Sequence, residues 1–184
     1  KDEILPRRKI EEFKTRAIFM SPIDHTIRDR RYFGSVLAHI FGKKLKMFSA
    51  VGMNVYSKDW SMLLDRLREV SEFGFDGDFS DFDSTHTDQL SDLFSDAVCM
   101  WYTARGHGCN NPHRRAIVHG MIHSFYLNGN YLFATEVGLP SGSFLTTLKN
   151  TVQSFALIML SFVALYEKEY GKLLTFDDMD KSIR

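Results

Sequence analysis

Cysteine is nearly absent: Cys99 and Cys109 are the only two in 184 residues. So few thiols give no disulfide framework, which sets aside the small cross-linked secreted scaffolds and fits a reducing compartment. A long apolar run is missing too. The most apolar stretch, residues 155–165, is shorter than the roughly 20 residues that cross a bilayer, contains Ser161, and is expected to be a buried helix. No N-terminal stretch resembles a signal peptide. Repeats, low-complexity tracts and flexible linkers are also lacking. Net charge is zero, with 23 Lys and Arg against 23 Asp and Glu. What is present is 44% hydrophobic and 14% aromatic, the composition of a globular chain large enough for a sizeable core. It begins at Lys1 without a methionine, inside a basic segment, and stops at Arg184, so it is expected to be part of something longer.

The balanced charge is unevenly spread. Residues 1–46 hold twelve Lys and Arg against six Asp and Glu, whereas residues 69–104 hold nine acids and no Lys or Arg. A basic block suits phosphates and an acidic block suits divalent metal, although two solvated faces would look the same. The spacing of the acids decides between these.

Periodicity predicts a mixed architecture. Residues 6–10 and 15–19 read as short strands around a charged turn, and residues 26–41 as a helix. Ser57 is placed to cap a helix with Trp60, Leu63, Leu64, Leu67 and Val70 on one face. Residues 73–79 read as a buried strand. Thr87 can cap a helix with Asp88 in its first turn and Leu90, Leu93, Phe94, Ala97 and Trp101 inward. Residues 105–112 form a loop. Residues 123–128 and 131–137 flank Asn128-Gly129, a hairpin signal. Residues 138–142 make a tight loop, followed by a long helix to about Tyr170.

Three constellations carry chemistry. Asp78-Phe-Ser-Asp-Phe-Asp83 puts one carboxylate at a strand end and another five positions on. Phosphoryl transfer needs divalent metals to neutralise charge and align oxygens, and a carboxylate on a rigid strand end can hold one. The second runs from Pro140 to Asn150: Ser141-Gly142 is a flexible loop with a hydroxyl, and Thr146 and Asn150 share a helix face, able to bond a sugar hydroxyl or a carboxylate. The third is basic, with Lys1, Lys9, Lys14 and Arg16 able to line a channel for triphosphate and RNA backbone.

Together and in this order, these residues resemble the RNA-dependent RNA polymerases of picornaviruses and picorna-like viruses, including the dicistrovirus and iflavirus groups. Residues 1–34 look like motif F and the fingers segment after it; Asp78 to Asp83 is similar to motif A, and Ser141, Gly142, Thr146 and Asn150 to motif B. The resemblance spans essentially the whole chain. It implies an α+β right-hand polymerase with partial fingers and an incomplete RRM-like palm. Residues 1–72 would be a fingers segment, 73–104 the palm strand of motif A and its helix, 105–137 an insertion with the hairpin, and 138–184 the motif B loop and long helix.

By the same resemblance, Asp78 would be the catalytic ligand of Mg²⁺ or Mn²⁺. Asp83 and Asn150 would check the ribose 2′-hydroxyl, with Ser141, Gly142 and Thr146 arranging that network. Lys9 and Arg16 would contact the triphosphate, with Lys1 and Lys14 lining the channel. Implied partners are RNA template and primer, nucleoside triphosphates and other viral replication proteins, with no transmembrane segment, in host cytoplasm at membrane-associated replication complexes. Leu5 stands where some relatives carry a basic residue, and Leu145 replaces a small residue of the enterovirus pattern. Motif C, the Gly-Asp-Asp turn, is missing: Asp177-Asp178 is followed by Met179-Asp180-Lys181 rather than an apolar strand. The fragment alone is therefore expected to be inactive.

Rival readings are weaker. His107, Cys109 and His113 supply only three possible zinc ligands, without a Cys-x-x-Cys pair. Asp81, Asp83 and Thr85 imitate the nucleophile loop of haloacid-dehalogenase-like phosphatases, but that fold needs repeated strand–helix crossovers. A reverse transcriptase would put bulk where Asp83 and Asn150 leave room for a 2′-hydroxyl. A non-catalytic RNA-binding module remains as the other class.

Overall fold

The computed structural model describes residues 6–12, 18–43 and 45–175. In chain order it contains α1 (Arg7–Glu11), α2 (Ile23–Gly42), α3 (Asp59–Val70), α4 (Asp88–Thr103), α5 (Asn111–Ile122), the strands β1 (Phe125–Asn128) and β2 (Tyr131–Ala134), and α6 (Thr146–Tyr170). The chain divides into two units, Lys1–Gly34 with Ser80–Thr147, and Ser35–Phe79 with Leu148–Arg184.

In the first unit α4 packs on α5. Thr87 caps α4 as its sequence predicts, its hydroxyl accepting from the Leu90 amide at 3.4 Å. The face that α4 buries differs from the expected one. Ser91, Phe94, Ser95, Val98, Cys99 and Tyr102 are buried, Leu90, Leu93 and Trp101 only half-buried, and Ala97 exposed. The Ser91 hydroxyl donates to the Thr87 carbonyl at 2.9 Å, so its polar group is satisfied within the helix and can go inward. Burial holds the Cys99 thiol above its ordinary pKa, as suits a small core residue.

Residues 113–122, for which periodicity gives no expectation, form most of α5, with Pro112 in its first turn and Ile117, Val118, Met121 and Ile122 buried. Arg114 is buried beside them. Its guanidinium donates to the carbonyls of Tyr32 and His107 at 3.1 Å each and to Asn111 Oδ1 at 2.7 Å, and lies 3.4 Å from the centre of the Tyr102 ring. Phe33 from α2 stacks with Phe94 of α4, and the hairpin pairs antiparallel with Asn128 opposite Tyr131, Gly129 taking a φ of 61° in its two-residue turn.

In the second unit, the Ser57 hydroxyl accepts from the Asp59 amide at 3.2 Å and Asp59 accepts from the Asn54 amide at 3.0 Å, which fixes the start of α3. Arg66 of α3 donates to the Leu45 and Met47 carbonyls. The apolar face of α3 is exposed, with Trp60 at 59%, Leu67 at 58% and Val70 at 64%. On α6, Leu148, Lys149 and Gln153 are buried, and Phe155 stacks on Phe48.

Three expectations fail here. Residues 6–10 are not a strand; all but Pro6 lie in α1, where Arg7 pairs with Glu11 and Arg8 with Glu12 at the i,i+4 spacing that favours a helical turn. The second expected strand lies mostly outside the described residues. Residues 73–79 are irregular rather than a buried strand, with Phe73 and Phe75 each 90% exposed. A strand needs a neighbour for its ladder, and the sheet among the described residues is the two-stranded β1–β2 pair. The stretch 155–165 is helical but not buried, Leu160 being 54% and Leu165 65% exposed. Among the described residues α6 is the one helix long and apolar enough to cross a membrane by length and composition, a test that core helices of soluble proteins also pass.

Candidate functional site

Two loops of the first unit are laced together. One runs through the 3₁₀ turn Phe82–Thr85 and the other through residues 138–145. The first turns sharply because Asp81 sits in the left-handed region at φ 50°, which Asp tolerates better than most residues. Ser84 and Thr85 then donate their hydroxyls to the carbonyls of Asp81 and Phe82, each at 2.7 Å. This local web aims Asp83 at the second loop.

Three hydrogen bonds cross between the loops, each at 2.9 Å. The Leu139 amide donates to the Asp83 carbonyl, the Gly138 amide to the His86 carbonyl, and the Ser141 hydroxyl to Oδ2 of Asp83. Two main-chain bonds set the spacing, and the side-chain bond then fixes the carboxylate. Gly138 takes a φ of 98°, which L-residues rarely adopt, and a Cβ there would crowd the Asp83 carbonyl at 3.2 Å.

A third segment closes the second loop. The Phe19 amide donates to the Ser141 carbonyl at 2.8 Å. Gly142, at φ 116°, lies so close that a Cβ on it would come within 2.6 Å of the Phe19 carbonyl oxygen. Ser143 is buried and its hydroxyl accepts from the Leu145 amide, while Thr146 returns its hydroxyl to the Pro140 carbonyl at 3.2 Å. Asp83, Ser141, Gly142 and Thr146 are thus parts of one assembly. Phe19, Gly138 and Leu139 belong to it too, although sequence reading gives them no role at the site beyond a strand end and a tight loop. The paired glycines at 138 and 142 were the available signal for a tight backbone approach.

Other predicted residues stand apart. Asp78 is exposed, in an irregular segment of the second unit. Asn150 is one turn beyond Thr146 on α6 and also belongs to the second unit; its Oδ1 is buried with no hydrogen-bond partner among the described residues. Lys9 is exposed on α1. Lys1, Lys14, Arg16 and Asp177-Asp178 lie outside the described residues. The His113 ring stacks on Tyr32 at 5.6 Å, and the His107 carbonyl serves Arg114. Among the described residues no group of three or more His, Cys, Asp or Glu converges to hold a metal.

The chemistry of the laced loops is that of a directed acceptor. With Oδ2 of Asp83 engaged by Ser141, Oδ1 is left to accept one hydroxyl in a fixed direction.

The sequence profile of the family described as viral RNA-dependent RNA polymerase matches residues 1–184. The chain is 29% identical over 185 residues to the RNA1 polyprotein of Grapevine fanleaf virus, covering 97% of this chain and 8% of that protein. It is 28% identical over 174 residues to the replicase polyprotein of Acute bee paralysis virus (strain Rothamsted), covering 94% and 9%. Against the RNA1 polyprotein of Cowpea mosaic virus (strain SB) it is 27% identical over 184 residues, covering 100% and 10%. The chain therefore spans a tenth or less of the length of these relatives.

Proposed function

Since the chain belongs to the viral RNA-dependent RNA polymerase family, we propose that it carries the ribonucleotide-selecting part of an enzyme that copies RNA into RNA during replication of a positive-strand RNA virus. The observation that carries this reading is the Ser141 bond to Asp83. A carboxylate held at one oxygen by a neighbouring hydroxyl presents the other to a ribose 2′-hydroxyl, and a deoxyribose leaves that acceptor unmet. By the family pattern Asn150, whose Oδ1 has no hydrogen-bond partner among the described residues, reads the same hydroxyl.

The remaining roles follow the family pattern. Asp78 serves as the carboxylate for a divalent cation, Lys9 and Arg16 meet the triphosphate, and Lys1 and Lys14 line its channel. Residues 1–72 act as fingers, 73–104 and 138–184 as palm, and 105–137 as an insertion between them. RNA template and primer, nucleoside triphosphates and other replication proteins are the partners. Divalent metal is the family's cofactor and supplies charge neutralisation in nucleotidyl transfer. A Mg²⁺ or Mn²⁺ ion needs several oxygen ligands, and the described residues alone do not assemble such a set. What this chain contributes is orientation: it fixes the acceptor before the nucleotide arrives.

The test is incorporation of matched ribo- and deoxynucleotides by the complete polymerase, wild type against Ser141→Ala. Loss confined to the ribonucleotide supports the reading, and equal loss for both sugars overturns it.

A further inference from the structure

Besides its bonds to the Asp83 loop, the loop that bears Ser141 and Gly142 is held by main chain at Phe19. That residue both donates its amide to the Ser141 carbonyl and presses its own carbonyl against Gly142. Whatever fixes Phe19 therefore helps to fix the loop at Ser141 and Gly142.

The Phe19 ring meets the hairpin. It lies edge-on to Tyr126 with ring centroids 4.5 Å apart, and Tyr126 in turn stacks on Phe133, its direct partner across the ladder, at 5.4 Å. The hairpin's other contacts are sparse. Of its eight strand residues Tyr126 alone is not exposed. A two-stranded ribbon is marginal by itself, so its one half-buried ring is its anchor, and that anchor is set on Phe19. From hairpin to loop the order is Phe133, Tyr126, Phe19, Ser141, Asp83.

We infer that Tyr126, backed by Phe133, is a positioning residue for sugar selection, acting through Phe19 on the Ser141-Gly142 loop. The inference rests on the proposed role of Ser141 and Asp83, and extends it to an element that supplies no group to the nucleotide. An edge-to-face contact depends on the ring and not on the phenolic oxygen. Tyr126→Phe therefore keeps the relay and Tyr126→Ala cuts it. Without its clamp the loop samples positions in which the Ser141 hydroxyl no longer holds Asp83, and the penalty falls on the ribonucleotide.

The experiment compares kcat/KM for a ribonucleotide and its deoxy counterpart in the complete polymerase carrying Tyr126→Ala, Tyr126→Phe or Ser141→Ala, with thermal unfolding recorded for each. Tyr126→Ala is expected to lower the ribo-to-deoxy ratio on the order of tenfold, chiefly through the ribonucleotide KM, and Tyr126→Phe to leave it unchanged. Should Tyr126→Ala not fold, Phe133→Leu interrupts the same relay one ring earlier and is expected to lower the ratio less. An unchanged ratio in folded Tyr126→Ala, or in Phe133→Leu where that variant replaces it, overturns the inference, as does an equal fall for both sugars. If Ser141→Ala lowers the ratio while Tyr126→Ala does not, the relay alone is wrong. If Ser141→Ala leaves the ratio unchanged, the sugar-selection reading falls and the relay with it.

Discussion

The Ser141 hydroxyl donates to Oδ2 of Asp83 at 2.9 Å across a sequence separation of 58 residues. Both side chains are half-buried and both backbones are pinned, Asp83 through its carbonyl to Leu139 and Ser141 through its carbonyl to Phe19. Neither side chain has to be ordered by the nucleotide, so the cost of orienting them is met when the chain folds.

Removing either end of that bond should cost selectivity more than fold. Ser141→Ala and Asp83→Ala are each expected to lower ribonucleotide use by about 1–3 kcal/mol relative to deoxynucleotide use. Asn150→Ala should act in the same direction. Single-nucleotide incorporation with paired ribo- and deoxynucleotides measures all three, and an equal loss for both sugars would count against the assignment.

Gly142 should tolerate no side chain. Gly142→Ala puts an L-residue at φ 116° and sets its Cβ 2.6 Å from a main-chain oxygen that cannot swing away. A cost of about 2–4 kcal/mol in stability is expected, read by chemical denaturation. Gly120→Ala, whose added Cβ meets nothing within 4 Å, is the matched control and should not be destabilising.

Asp78 should show the reverse pattern. It is exposed, so Asp78→Asn is expected to change stability by less than about 0.5 kcal/mol. As a cation ligand it should nonetheless be indispensable, with incorporation by the complete polymerase falling on the order of 10³-fold. Near-normal elongation by that variant would remove Asp78 from the site.

Two neighbouring arginines should differ sharply. Arg114→Ala removes a buried donor from the Tyr32 and His107 carbonyls and from Asn111 Oδ1, and leaves a cavity against Tyr102, a loss of about 3 kcal/mol. Lysine cannot reproduce the fork or the stacking, so Arg114→Lys should recover little. Arg115 is half exposed and pairs with Asp96, and its replacement by Ala should cost no more than about 1 kcal/mol. Denaturant midpoints on the three variants give the comparison.

Much of this was legible because period and punctuation agree. Helices α2, α3, α4 and α6, the hairpin at Asn128-Gly129 and the loop at residues 138–142 all carry local signals that the structure honours. The failures share a cause: the deciding partner is remote or polar. Residues 73–79 have strand composition and, among the described residues, no strand beside them. In α4 Ser91 goes inward because its hydroxyl is satisfied, which hydropathy does not register. In α5 the buried Arg114 breaks the apolar pattern that Ile117, Val118, Met121 and Ile122 would otherwise make. At the site, Asp83 and Ser141 were readable as residue types, but the Phe19 clamp is main chain and shows in the sequence only through the glycine it requires at 142.

The 184-residue chain by itself should bind RNA and fail to extend a primer. Residues 1–46 carry twelve Lys and Arg against six acids, enough for sequence-independent contact with phosphates that weakens as salt rises. Filter binding at two salt concentrations and primer extension with Mg²⁺ and with Mn²⁺ test the two halves. Robust extension would mean that a carboxylate set such as Asp177-Asp178, outside the described residues, completes the metal site.

The bare face of α3 has a consequence for how solutions of this chain behave. Trp60, Leu64, Leu67 and Val70 are exposed on one short helix, and the chain has no net charge at neutral pH. Copies that meet through such faces feel no long-range repulsion, so colloidal stability should be poorest near neutrality and improve as acid or base gives every copy the same sign. Solubility, rather than unfolding, would then set the working concentration of the isolated chain.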